Sequence, residues 1–190
     1  MSDAAAAGAR RAARAIDALR RGWPLRVGAA DGALDLLAVE SASDAALAEF
    51  GGADMLLSGE RAVTLKLTNQ RAAATPGPVR LAGAGNSVAA ALAVADPALD
   101  LAHPLKGPFR TVATGGEAAA AAAMTMARHA GLLPAFFVRP AAGGVEAECT
   151  DGDVAALLDP ARLAIAARAR LPVAASETAE IVAFRSPEEA

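Results

Sequence analysis

Near the start of the chain, apolar side chains fall three apart at Ala13, Ile16 and Leu19, while Arg10, Arg11, Arg14, Arg20 and Arg21 take the other sides. That period predicts an amphipathic helix over residues 1–21 with a solvated arginine face. Gly22 ends it, and Trp23-Pro24 lead into a strand around Leu25–Val27. Asp31-Gly32 is a turn signal, and Leu34–Val39 predicts a second strand. Ser41, Ser43 and Asp44 offer caps for a helix at Ala45–Phe50, which Gly51-Gly52 breaks. Ala53–Leu57 suits a short buried strand. A helix opens at Ser58 and runs toward Leu67, followed by a loop over Thr68–Pro78 and an edge strand at Val79–Leu81. Asn86 or Ser87 caps a helix that stops before Pro97.

The stretch from Asp100 to Arg139 organises the rest. It passes from a proline-punctuated segment through Thr114-Gly115-Gly116 into a long alanine-rich helix. Gly131 suits the left-handed position after that helix, and Pro134 cannot continue it. Ala135–Val138 then predicts a strand. Beyond it come a turn at Gly143-Gly144, a strand at Val145–Cys149, a turn at Asp151-Gly152-Asp153 and a helix at Val154–Leu158. The same reading predicts a helix from Pro160 to about Ala169, a strand at Leu171–Ala174, and a last helix from Ser176 and Glu177 to Phe184. Short strands among helices, with no repeat, predict one three-layer α/β or α+β domain with a mixed sheet over residues 1–185. Residues 186–190 read as an acidic tail or the start of a linker.

Composition narrows the function classes. Of 190 residues, 54% are hydrophobic and 21% charged, enough apolar material for a core. Aromatics make up only 3%, so Leu, Val, Ile and Ala must fill it. A net charge of −3 argues against a nucleic-acid partner, which would call for a basic face. Cys149 is the only cysteine, so neither an internal disulfide nor a cysteine-based zinc site is available. No secretory signal and no membrane-length apolar run is visible, which makes a cytoplasmic protein the expectation.

The densest polar cluster is His103, Lys106 and Arg110, followed by the Gly115-Gly116 loop. Two basic side chains, an imidazole and backbone N–H groups at a helix start are the parts of a phosphate or sugar-phosphate site. The competing reading is that they serve structure or an interface. Asp31, Asp96 and Asp100 read as turn and cap residues, His129 as a surface residue near a helix end, and Met124 and Met126 as core candidates. Cys149-Thr150-Asp151-Gly152-Asp153 reads as a turn before a helix.

Taken in order, several segments resemble the 3,4-dihydroxy-2-butanone 4-phosphate synthase family of riboflavin biosynthesis. They are RAARAIDALRRGWPLRV, Pro104-Leu105-Lys106 with Thr114-Gly115-Gly116, ARHAGLLPAFFV (127–138), and Ala179–Arg185, which is similar to that family's last helix. AVTLKLTNQR (62–71) and ADPALDLAHPLKGPFRT (95–111) resemble more closely the synthase-like domain that precedes GTP cyclohydrolase II in a subset of bacterial proteins.

The resemblance implies a synthase-like fold, a homodimer, and a GTP cyclohydrolase II partner in cis or in trans. It also implies that the synthase chemistry is gone. The family's metal-binding His falls on Ala119, the adjacent Glu on Ala121, and its Cys-Glu pair on Arg139-Pro140; its acidic loop is shortened to Gly28–Asp35. The expectation is therefore a non-catalytic module with no catalytic residue, metal or cofactor of its own. A divergent enzyme or binding module retaining a phosphosugar or nucleotide site is the alternative.

Overall fold

The computed structural model describes residues 3–51, 54–70, 73 and 76–187. The expected break at Gly52, the strand start at Ala53, Arg71, part of the 68–78 loop and residues 188–190 lie outside them.

Helix α1 (Asp3–Arg20) buries Ala9, Ala12, Ile16 and Leu19 as one stripe, as their spacing dictates. Strands β1 (Leu25–Ala29) and β2 (Gly32–Ala38) form a hairpin in which Ala29 faces Gly32. Gly32 sits at φ 142, and a Cβ there would come within 2.8 Å of the Gly115 carbonyl oxygen. No other residue fits that approach between the hairpin turn and the 114–116 loop. Helix α2 (Asp44–Phe50) starts on Ser43, whose hydroxyl accepts from the Ala46 N–H. Next come β3 (Asp54–Leu57), α3 (Gly59–Thr64), β4 (Val79–Leu81), α4 (Val88–Ala95), β5 (Thr111–Val112) and α5 (Glu117–Ala130). Then β6 (Ala135–Pro140), β7 (Ala147–Thr150) and α6 (Asp151–Leu157) follow.

Seven of the strands form one sheet in the order β5-β4-β3-β6-β2-β1-β7. Neighbours are antiparallel except β1 and β7, which are parallel, so the sheet is mixed. Strand alternation divides the interior into two cores. Phe136, Val138, Leu34, Leu36 and Leu56 face α1, α5 and α6. Phe137, Leu37, Met55 and Leu57 face α2, α3 and α4. Helices thus cover both faces of the sheet, which is the expected three-layer α+β arrangement. Met124 and Met126 are both buried.

The C-terminal segment departs from expectation. Instead of a helix over 160–169, Pro160–Arg162 makes one 3-10 turn capped by Asp159, and Ala164–Arg170 is strand β8. The expected strand at Leu171–Ala174 is the connection of a hairpin, tied by a Val173–Ser176 bridge and by the Leu171 N–H donating to the Ala179 carbonyl (2.9 Å). The expected last helix is strand β9 (Glu180–Arg185), antiparallel to β8. Leu171-Pro172 stops any helix arriving from the N-terminal side. Ile181, Val182 and Phe184 are strand formers, and pairing overrides the helix propensity of the alanine-arginine run opposite. The segment 179–185 is therefore not the helix its family resemblance implied.

Candidate functional site

Four carboxylates organise the polar interior, each held by arginine. Asp35 lies in β2 amid apolar neighbours and is fully buried. It accepts from Arg26 on β1 (Nε 2.7 Å, Nη2 3.2 Å), from Arg139 on β6 (Nε 3.4 Å), and from the N–H groups of Ala142 (3.1 Å) and Gly143 (3.3 Å). Arg26 also reaches Glu148 on β7 and the Gly143 carbonyl. Arg139 stacks 4.4 Å over the Phe50 ring and donates to the Phe50 carbonyl. Burial opposes the charged form of Asp35, but the Arg26 bonds and the two amides outweigh it, and the carboxyl sits below its ordinary value. This cluster pins the 141–146 loop to three strands.

Asp100 holds a second network. It pairs bidentately with Arg61 (2.6 and 2.8 Å) and accepts from Lys106. Arg61 is buried and also donates to the Val94 carbonyl at the end of α4 (2.7 Å). Hydrogen bonds from Arg61 and Lys106 hold the Asp100 carboxyl well below the usual range. Asp54 receives Arg80 (2.8 Å), which reaches on to the Thr114 carbonyl (3.3 Å). Asp153 receives Arg11 (2.6 and 2.9 Å) and completes a capping box with Thr150 at the start of α6. Burial raises the Asp153 pKa, but the Arg11 and Thr150 bonds bring it below its ordinary value. Cys149 is enclosed beside Met126 (3.8 Å), and burial pushes its thiol up to about 12.

These networks decide what the sequence-predicted residues do. Lys106 is a mostly buried partner of Asp100 rather than an outward cation. His103 and Arg110 are exposed. His103 and Lys106 line a groove of about 630 Å³ with Ala89, Ala90, Ala93 and Phe109, and that groove includes neither Arg110 nor Gly115-Gly116. The glycine pair lies instead against the β1–β2 turn, where the Asp31 carboxylate accepts from the Ala118 N–H (3.0 Å). The N-terminus of α5 therefore already holds an anion supplied by the chain itself. Asp96 caps the 3-10 turn Pro97–Leu99, and Asp31 caps α5, as turn and cap residues should. Asp100 closes the Pro97–Leu99 turn as its C-cap, and its side chain is in addition the centre of an ion network.

Ala119, where the resemblance places a metal-binding His, is fully buried in the core. Ala121 opens on an apolar groove of about 450 Å³ between α3, the 76–79 loop and α5, with Glu60 and Arg128 among its polar groups. Among the described residues, no group of three or more His, Cys, Asp and Glu could hold a metal ion. No helix among the described residues is long and apolar enough to cross a membrane.

Sequence reasoning missed Arg61 and Gln70. Gln70 clamps the chain ahead of β5, donating to the Phe109 carbonyl (2.9 Å) and accepting from the Thr111 N–H (2.8 Å). The one visible signal was a charge inside an apolar run. Asp35 within Leu34–Leu37 and Arg61 beside Ala62-Val63 can be buried only if paired. Compared with known proteins, the chain matches no protein-family model and no curated protein sequence.

Proposed function

We propose that this chain is a non-catalytic, synthase-like structural module that dimerises and works with GTP cyclohydrolase II in riboflavin biosynthesis. The observation that carries the reading is the fate of the interior carboxylates. Asp35, Asp54, Asp100 and Asp153 are each neutralised by arginine and used to tie loops to strands. A synthase of this kind needs hard oxygen ligands, a His ligand and acid–base groups around one pocket. The position assigned to the His is an alanine enclosed by core, where an imidazole has no room.

Surface chemistry supports the assembly half of the reading. Helix α4 is VAAALAVA, without a polar residue, yet Ala89 and Ala90 are exposed. Leu101 and Leu105, both 96% exposed, stand on the neighbouring loop. One face thus carries protruding leucines and an alanine-lined groove, the self-complementarity that a twofold interface requires. In the bacterial proteins this chain resembles, the module precedes the cyclohydrolase, which makes that domain the partner.

Two measurements test the proposal. Incubation with ribulose 5-phosphate and magnesium or manganese gives no formate above the no-enzyme control. Sedimentation equilibrium gives a dimer that Leu101→Glu with Leu105→Glu converts to monomer. Chelator-sensitive formate release would replace the structural reading with the divergent-enzyme one.

A further inference from the structure

We infer that the β8–β9 hairpin is a docking element whose occupant is the β-sheet of a separate folded domain; this rests on the proposed association with a GTP cyclohydrolase II catalytic domain. The hairpin forms its own two-stranded sheet, hydrogen-bonded to none of the seven strands of the body. Every residue of β8 is exposed, and so are all of β9 except the half-buried Val182. A lone two-stranded hairpin is marginal in water; stable ones gain further strands or a packed face.

Its side chains say what kind of cover is missing. Register places Ile165 opposite Phe184 and Arg168 opposite Val182 on one face. The other face carries Ala167 opposite Ala183 and Ala169 opposite Ile181. Both faces therefore carry apolar side chains along the middle of the hairpin, with Arg185 opposite Ala164 at the body end. Arg170 faces Glu180 and Arg168 lies 3.9 Å from the same carboxylate, so one acid serves two arginines at the tip. Leu163, Ile165, Leu171, Val173, Ile181 and Phe184 are each about half exposed. Taking roughly 200 Å² for a large side chain, they present on the order of 600 Å² of apolar surface. Spread over both faces and the connection, that is at the upper end of the largest patch on an ordinary monomer and short of the ~800 Å² per partner of a stable interface.

A second copy of the chain fits poorly. Two hairpins joined edge to edge make a four-stranded sheet with both apolar faces still in water. An occupant that brings its own strands and core covers edge and faces together, by adding the hairpin to its sheet.

The test is amide exchange of the chain alone and with a zinc-loaded GTP cyclohydrolase II catalytic domain, linked after residue 190 or added in trans. Expected is at least a tenfold slowing at β8 and β9 amides on association. Phe184→Glu and Ile181→Glu should weaken binding at least tenfold, while β3 and β6 exchange stays as in the parent chain and a control, Ala155→Glu, binds normally. A complex that forms with β8 and β9 unprotected, or that tolerates both glutamates, overturns the inference and leaves the association standing. Protection that instead rises with the concentration of the chain alone makes a second copy the occupant and overturns it as well. Absence of any complex at ~100 µM rejects the association and the inference together.

Discussion

Replacing Asp35 by Asn probes the internal ion pairing most directly, because the shape is kept and only the charge and one acceptor are lost. The carboxylate has five donors around it: two from Arg26, one from Arg139 and the N–H groups of Ala142 and Gly143. Whichever way the amide turns, its NH₂ meets a donor. Placed at Oδ1 it faces Arg26 Nε; placed at Oδ2 it faces the other four. Removing one partner of a buried ion pair costs about 3–5 kcal/mol. Arg26 and Arg139 are each 25% exposed, so water takes up part of the orphaned charge. The lower end, about 3 kcal/mol, is the expectation. With a urea slope of about 2 kcal/mol/M, the unfolding midpoint falls by roughly 1.5 M at unchanged slope. The pH dependence follows from the sign of the shift. The folded carboxyl lies below its unfolded value of about 3.9, so its stabilisation is complete above that value and is lost as pH falls through the folded one. The gap between parent and Asp35→Asn must therefore close on acidification, while Asp100 and Asp153 keep a residual acid slope in both. A midpoint shift below about 0.5 M at neutral pH, or a gap that stays constant down to about pH 3, refutes the reasoning.

Cys149, buried with its thiol pushed up to about 12, should not react with a thiol-specific disulfide reagent in the native chain at pH 8 and should react fully in denaturant. Gly131→Ala should cost about 1 kcal/mol, and melt a few degrees lower, because φ is 75 there and no atom lies near enough to a Cβ to add a clash; Gly131→Asn should cost less. Arg61→Met should release the 100–110 loop from α3 and α4, read as faster proteolysis between Leu101 and Arg110 with little change in β2 or β6 exchange.

The layered body was legible because its helices bury one face and its inner strands bury both. The three-residue spacing of Ala13, Ile16 and Leu19 follows from α1 having one side on the sheet. Gly131 and Ser43 stop and start helices through their own backbone and side-chain geometry, without help from distant residues. Phe136-Phe137 was readable as a strand because a sheet covered on both sides accepts a continuous apolar run. The site was less legible for a reason of range. Arg61 and Asp100 are 39 residues apart, and Arg139 and Asp35 are 104 apart. Local spacing carries no trace of such a pair. Lys106 looked like an available cation for the same reason: its neighbours in sequence do not include Arg61, which draws Asp100 into place.

The hairpin failed differently, and the failure bears on what covers it. In AIAARAR, helix formers dominate, and the alternation is confined to Ala167–Arg170, because the irregularity between Ile165 and Ala167 puts Ile165 on the face of Arg168 and Arg170. A strand with one wet face writes a period of two; a strand meant for cover on both faces does not. The body supplies no such cover, and β8 and β9 lie wholly or almost wholly in contact with solvent. The run Ile181–Phe184, apolar on both faces and attached to a body that buries neither, is what a strand completing another domain's sheet would carry. Arg168, Arg170 and Glu180 share one face toward the hairpin's tip, and Arg185 stands on the other face at its base, opposite Ala164. The apolar stretch between these charges is the part that contact with a second sheet would close.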